Sequence, residues 1–485
     1  MNKLFKFSFF FFLLGHSLLA QVDPEPAVDS IFRSVVLIRN EGFNTENKTQ
    51  PWMKKNLSTG FGSGLVLPGQ SILTNAHVVR DAKRILVKSS FTKKEYLADV
   101  KFIGYDCDLA LLQVKDPDFS EQTNSLSFSE GIPNLGSDVL LLGFPNGNDS
   151  LSVEKGSVLR FEKNRYTYSG LDYRNVLKIN ANIQPGNSGG PAVQNGKVVG
   201  LVFQISTLEQ GIAYLISNDI IRHFLEDIND GKYDGFPNIG FTFQNGNPKS
   251  LKQAMKVPPD QSGIFVNRIY PSSTFSKVLK EKDFVTAIDG LPLTNDGEIS
   301  QANKKEFIID WIENKQLNSK VTVSYYRAGK HYDAEVNLQK NYALDLYRDS
   351  TEDYFLQAGF VFQPITRSFF HSEDGDLDSS LKYHYSYFIQ DLLYRYTVRD
   401  IVLSYTFNDP ETSKFKKYKY KVVESINGRV PKDLNEFKSI WKDGKKGFVV
   451  LKFRGMDLPI VLRPESIYQM NQRVKKRYGA NYEEF

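Results

Sequence analysis

One cysteine, Cys107, is all the thiol chemistry this chain of 485 residues carries. No disulfide can form within it, so a stapled secreted scaffold is excluded and the fold must hold by its core. No Cys/His spacing suits zinc, and no glycine-rich phosphate loop leads into a lysine. The stretch "DGDLD" at 374–378 lacks the sixth-position glycine and the twelfth-position glutamate of a calcium loop, Tyr385 standing at the latter. No metal and no cofactor is expected. Charge bias is also missing: 61 basic against 56 acidic residues leave a net charge of +5, too little to argue for nucleic acid or a membrane surface.

Long apolar runs are absent except at the start. Phe7 to Ala20 is apolar but interrupted by His16, and it falls short of the roughly 20 residues a spanning helix needs. It follows Lys3 and Lys6 and ends in Ser-Leu-Leu-Ala. Residues 1–20 therefore read as a secretory signal cut near Ala20, which predicts a periplasmic or otherwise exported protein with no membrane span after removal.

What is present is β texture. Residues 28–230 hold many short apolar runs ("SVVLIRN", "GSGLVL", "RILVKS", "ALLQV", "DVLLLGFP", "KVVGLVF") punctuated by Gly, Pro, Asn and Asp. That spacing predicts an all-β barrel or sandwich. One helix is expected at its end, with Ser217 or Asn218 as cap and Ile220, Ile221, Phe224, Leu225 and Ile228 on its apolar face. Beyond "GKYDGFPN" a weak repeat begins. "GFTFQ" at 240–244 returns as "GFVFQ" at 359–363, and "AIDGLPL" is echoed by "SINGRVP". A helical stretch and a strand pair follow each. This predicts two α+β modules, 234–342 and 352–463, the second with a Tyr/Phe-rich insertion at 364–396. Residues 464–485 are read as a closing helix with Ile467, Met470 and Val474 on one face and Gly479 as its stop.

The chemistry is sought in "QPGNSGGPAV", where Ser188 lies on a tight loop between two prolines. A serine hydroxyl needs a base within hydrogen-bond reach and a third group to orient that base. Two histidines lie in the β-rich part. His223, in the middle of a predicted helix, reads as a packed or solvated side chain. His77 stands where the strand of "ILTNAHVV" ends. In "GYDCDLALLQV", Asp108 opens a buried apolar run, a costly place for a carboxylate unless it is paired. Asp106 is the rival, on the same face of an extended strand but further from the apolar run; Cys107, pointing the other way, reads as a small buried residue rather than a nucleophile. His77, Asp108 and Ser188 follow one another in the order of the chymotrypsin-like two-barrel proteases. Gly186, Asn187 and Ser188 then form the candidate oxyanion loop, with the amides of Gly186 and Ser188 as donors.

"TNAHVV", "DLALLQV" and "GNSGGPAV", with "GSGLVL", "GFP" and "GIAYLIS", resemble the motifs of the trypsin-like Deg/HtrA serine proteases. The resemblance implies a chymotrypsin-like double β-barrel protease domain at 28–230 followed by two PDZ-like modules. It implies an ATP-independent serine endopeptidase acting on unfolded or specific protein substrates in protein quality control, self-associating as trimers or multiples of them. It also implies a specificity pocket at Ile183, Val202, Phe203 and Gln204, whose apolar floor favours small or medium aliphatic side chains. Regulatory loops fall near 40–60, 169–178 and 205–211. A PDZ module takes peptide C-termini by strand addition; the carboxylate loop would be Asn238, Ile239, Gly240 and Phe241 in the first module and Ala358, Gly359 and Phe360 in the second, where peptide binding and a purely scaffolding role both stay open. The rival from another class is a chaperone or peptide-binding scaffold with an idle protease domain. An esterase shares the chemistry, but chain order and the peptide-binding modules argue against it.

Overall fold

The computed structural model describes residues 28–43, 57–92, 94–166, 172–206, 208–270, 273–301, 304–339, 354–365, 400–444 and 447–480, with Phe369, Ser379 and 381–383 besides. The expected signal at 1–20, the acidic stretch 374–378 and most of the expected insertion 364–396 lie outside them, as do parts of the three expected regulatory loops.

After helix α1 (Val28–Arg33), six strands close a first barrel: β1 (Val35–Phe43), β2 (Leu57–Leu67), β3 (Ser71–Thr74), β4 (Ala82–Ser89), β5 (Tyr96–Gly104) and β6 (Leu109–Val114), in the order β1-β2-β3-β6-β5-β4. The one-turn helix α2 (Ala76–Val79) follows β3, and α3 (Asp118–Gln122) follows β6. Side chains alternate across each strand. Val36, Ile38, Val66, Ile72, Ala110 and Leu112 fill this barrel. Val35, Leu37, Leu65, Leu73, Leu109 and Leu111 point the other way, into a second core. The strands read as unbroken apolar runs because both of their faces are buried.

A second barrel repeats the design: β7 (Asp138–Gly143), β8 (Ser152–Arg165), β9 (Tyr173–Asn180), β10 (Pro191–Gln194), β11 (Lys197–Ile205) and β12 (Ile212–Ser217), closed as β10-β11-β12-β9-β8-β7. Val139, Leu141, Val158, Leu177, Ile179, Val199 and Leu215 lie inside. Leu142, Phe144, Val176, Val193, Leu201 and Phe203 join the first barrel's outward residues in the core between the barrels. Each such side chain contributes about 1.5–3 kcal/mol on full burial, so this shared core holds the two barrels edge to edge. Helix α4 (Asn218–Asp227) seals it with Ile220, Ile221 and Phe224. Ser217 stands at the cap position, but its hydroxyl donates to the Asn175 carbonyl at 2.9 Å rather than accepting from the first turn.

The chain then forms a sheet ordered β13 (Phe241–Asn245), β14 (Ile264–Ile269), β15 (Phe284–Ile288), β19 (Lys320–Arg327), β20 (Lys330–Asn337). β16 (Leu291–Pro292) pairs with β15, and a hairpin β17 (Glu298–Gln301)–β18 (Lys304–Phe307) stands apart. Helices α5 (Lys249–Ala254) and α6 (Ile308–Glu313) flank them. The last part has two three-stranded sheets: β21 (Phe355–Gln357), β22 (Phe360–Pro364), β23 (Ile401–Thr406), and β24 (Val423–Ile426), β25 (Val449–Phe453), β26 (Ile460–Leu462). Helix α7 (Leu434–Asp443) precedes β25, and α8 (Pro464–Tyr478) ends the fold. Gly479 closes α8 in the left-handed region, and Met470 and Val474 form its buried face. The repeat seen in sequence has a common geometry: Asp289-Gly290 and Asn427-Gly428 both turn with two consecutive positive φ angles.

Candidate active site

β3 delivers His77 on the turn of α2, and Asp108 closes the turn that leads into β6. The Asp108 carboxylate is buried, 1% exposed, and meets His77 twice: Oδ1 accepts from the His77 backbone N–H at 2.9 Å and Oδ2 lies 2.7 Å from Nδ1. A carboxylate only accepts, so the shared proton is on Nδ1, and Nε2 is the nitrogen with a lone pair to take another. The Asp108 carbonyl accepts from Ala76 N–H at 3.2 Å and Asn75 Nδ2 at 3.0 Å. Backbone and side chain of Asp108 thus both grip the segment 75–77. Burial pulls the His77 pKa down, but the charge and the hydrogen bond of Asp108 outweigh it and hold it above the ordinary imidazole value.

Asp108 is not in an extended strand. Residues 105–108 form a turn, and Asp108 has φ 52°. The expectation that Asp106 shares a strand face with it fails for that reason. Asp106 turns away from His77 and accepts from the Tyr233 hydroxyl. Cys107 is fully buried, and burial pushes its thiol well above the usual value, so it stays a neutral packing residue. His223 is buried too, its ring stacked on Phe236 at 3.9 Å and Nε2 3.0 Å from the Lys315 carbonyl.

The loop 183–190 belongs to the second barrel but is held by the first. Ser63 of β2 donates its N–H to the Ser188 carbonyl at 2.7 Å and its hydroxyl to the Gly186 carbonyl at 2.8 Å, while that hydroxyl accepts from Phe144 N–H at 2.9 Å. Thr74, three residues before His77, donates to the Ser63 carbonyl at 2.7 Å. A Cβ on Gly189 would lie 2.3 Å from the Thr74 hydroxyl oxygen and 2.2 Å from the Ser63 carbonyl oxygen. The serine loop is therefore pressed against the strand end that leads to the histidine, with Ser188 and His77 both partly open to solvent. Sequence reasoning named neither Ser63 nor Thr74, although both stand in quoted motifs.

Gly186 has φ 98°, and a Cβ there would be 2.5 Å from the Phe144 carbonyl oxygen. Only glycine fits. The Pro185 carbonyl accepts from Asn146 N–H at 2.7 Å. The C=O and N–H of one trans peptide point in opposite directions, so this bond aims the Gly186 N–H away from Asn146. Asn187 N–H donates to the Gln184 carbonyl at 3.2 Å, whereas the Gly186 and Ser188 amides carry no such bond to the described residues. Within 186–190 those two amides are left to donate elsewhere, and the Asn187 amide is not.

The four expected pocket residues do not share one surface. Ile183 and Val202 pack in the second barrel's core. Phe203 faces the core between the barrels, 4.7 Å from the Tyr166 ring, and Gln204 Nε2 donates to the Arg165 carbonyl at 3.3 Å. Strand alternation separates Val202 from Phe203.

In the first of the two expected modules Gly240 has φ 68°, and its N–H donates to the Asn238 side chain at 2.8 Å; Ile239 and Phe241 are buried. In the second, Ala358 and Gly359, at φ 53° and 73°, form the two-residue turn between β21 and β22, where Gln357 pairs with Phe360. The Ala358 N–H donates to Asn471 Oδ1 of α8 at 2.7 Å. This loop is a closed hairpin under a helix, with its first amide already used. Among the described residues no group of three or more His, Cys, Asp or Glu could hold a metal, and no helix is long and apolar enough to cross a membrane.

Comparison with known proteins matches residues 62–201 to the trypsin-like peptidase domain and 346–483 to the PDZ domain. The chain is 33% identical over 350 residues to "Protease Do-like 4, mitochondrial" of Arabidopsis thaliana, covering 71% of this chain and 67% of that protein. It is 32% identical over 363 residues to "Protease Do-like 2, chloroplastic" of the same plant, covering 73% and 59%. The chain thus spans about two thirds of the lengths of these relatives. Among solved structures it is similar to a variant of the HtrA-type protease AlgW with decapeptide, at a TM-score of 0.51 and 19% identity, over 63% of this chain and 94% of that one; at that identity the likeness is one of fold.

Proposed function

The chain belongs to the Deg/HtrA family of serine proteases and is a serine endopeptidase with a trypsin-like domain and a PDZ domain, and we propose that His77, Asp108 and Ser188 carry its chemistry. Ser188 Oγ attacks the peptide carbonyl carbon as His77 Nε2 takes its proton. Asp108 holds the imidazole in the Nδ1–H tautomer and stabilises the imidazolium. The amides of Gly186 and Ser188 hold the negative oxygen, each donor worth about 2.7–4 kcal/mol of barrier. His77 returns the proton to the leaving amine. Water, deprotonated by the same imidazole, then releases the acyl group. The observation that carries this reading is the double grip of buried Asp108 on His77, at 2.9 and 2.7 Å.

The finer reading is of an exported protein acting on unfolded protein chains as an oligomer, with bound peptide C-termini regulating cleavage. The N-terminal lysines and apolar run support export; the family supports peptide binding and self-association. The protease domain spans 28–230 and PDZ-like modules span 234–342 and 352–463. Of the expected pocket residues, the partly exposed Ile183 carries the preference for small or medium aliphatic side chains.

The test is labelling with a serine-reactive fluorophosphonate and digestion of casein. Wild-type protein labels at Ser188 and cleaves; Ser188→Ala does neither. Casein cleavage at the wild-type rate by Ser188→Ala would refute the assignment. Cell fractionation tests export, and accumulation of uncut protein in the cytoplasm would count against it.

A further inference from the structure

The turn that carries Asp108 is gripped from a side the catalytic reading does not use. Its front is tied to residues 75–77, as described. Its back meets a segment from beyond both barrels. Tyr233, in the connection that follows α4, reaches back and donates its hydroxyl to Asp106 Oδ1, and the Tyr233 hydroxyl oxygen lies 3.3 Å from Cys107 Sγ. The ring fills the space that Gly104 leaves open: a Cβ on Gly104 would sit 2.6 Å from Tyr233 Cζ.

Tyr233 is itself anchored. Asp227, at the end of α4, accepts from the amides of Asp234 and Gly235 at 3.0 and 2.8 Å. Phe236 lies between the His223 ring at 3.9 Å and the Arg174 guanidinium at 3.7 Å. Arg174, buried, returns to the same turn: Nε donates to the Asp106 carbonyl at 3.4 Å, and Nη2 lies 3.8 Å from Asp106 Oδ2. Asp172 at 3.5 Å and Glu313 of α6 at 3.6 Å face it as well.

We propose that Tyr233 and Arg174 are positioning residues for Asp108, locking the turn 105–108 through Asp106. The physical ground is twofold. Asp108 must present one oxygen to the His77 amide and the other to Nδ1 at once, which a small rotation of the 107–108 peptide would break. Its left-handed backbone costs of order 1–3 kcal/mol and persists only where the surroundings over-determine it. The bonds to the Asp108 carbonyl supply one constraint and the Asp106 clamp supplies the other. Neither Tyr233 nor Arg174 touches a reacting group. The inference rests on the reading of Asp108 as the partner of His77.

The test uses the full chain and follows kcat, KM and fluorophosphonate labelling from pH 5 to 9. Tyr233→Phe keeps the ring and loses the hydroxyl. It should lower kcat about tenfold, a scale set by small misplacements of catalytic groups, leave KM within about twofold, and move the acid limb to lower pH because a misaligned Asp108 holds the imidazolium less well. Asp106→Ala should do the same, the double variant should fall no further than Asp106→Ala alone, and Asp106→Asn, which keeps an acceptor oxygen for Tyr233, should recover most of the loss. The Asp106 pair decides the matter even if Tyr233→Phe does not fold. A kcat within twofold of wild type with an unmoved acid limb in Tyr233→Phe and Asp106→Ala would overturn the clamp alone. Wild-type protein that never labels at Ser188 would overturn the catalytic reading beneath it.

Discussion

The Ser63 hydroxyl donates to the Gly186 carbonyl at 2.8 Å across 123 residues of sequence. A strand of one barrel thereby sets the backbone direction of a loop in the other. With Asn146 aiming the preceding peptide, the loop is organised before any substrate arrives, the condition for electrostatic stabilisation of a developing oxyanion.

Asp108→Asn keeps the size of the side chain but can donate to His77 and so select the wrong tautomer. The expected fall in kcat is about four orders of magnitude, with little change in melting temperature. Steady-state kinetics on a peptide substrate and a thermal melt check both halves; a loss under tenfold would exclude Asp108 as the orienting carboxylate.

His77 acts as a base only when neutral, and Asp108 raises its pKa above the ordinary value of 6.5. Activity should therefore fall as pH falls through a midpoint above that value. The same shift has a sign for stability: the His77–Asp108 attraction is fully present below the unfolded imidazole pKa and is lost as pH rises through the folded one. A kcat/KM profile locates the limb, and a midpoint below 6 would contradict the pairing.

Asn146 holds φ 54°, a region asparagine and glycine tolerate and β-branched residues do not. Asn146→Gly should keep its N–H bond to Pro185 and most of the activity. Asn146→Val should strain the turn by about 1–3 kcal/mol and release the peptide that aims the Gly186 amide. The two variants compared for kcat give the answer; equal activities would mean the bond does not organise the loop.

Asn471 joins α8 to the last sheet, donating to Gln357 Oε1 at 2.7 Å and accepting from Ala358 N–H at 2.7 Å. Asn471→Leu removes both bonds and leaves the buried Ala358 amide without its acceptor, a cost of about 1–3 kcal/mol. A lowered denaturation midpoint is expected. Because the Ala358-Gly359 turn is closed, calorimetric titration with C-terminal peptides should find no site that depends on it; binding lost specifically on Gly359→Ala would show the loop open.

Much of the site was legible in the residues. Strand runs, the apolar face of α4, the packing face of α8 and the pairing of His77 with Asp108 all follow from local periodicity and from what each side chain's chemistry needs nearby. The left-handed turn at Asp108 was not legible, because Asp106-Cys107-Asp108 reads equally well as extended chain. The direction of Asp106, the division of Val202 from Phe203 and the closure of the Ala358 loop all depend on which distant element arrives to fill the space.

Periodicity fixes which face of a strand is buried, since it is a property of neighbours along the chain. Partners such as Ser63 with Gly186, Tyr233 with Asp106 and Asn471 with Ala358 come together only when the barrels meet and the later segments fold back. That meeting is decided by the burial of the shared apolar core, to which no single stretch of sequence holds the key.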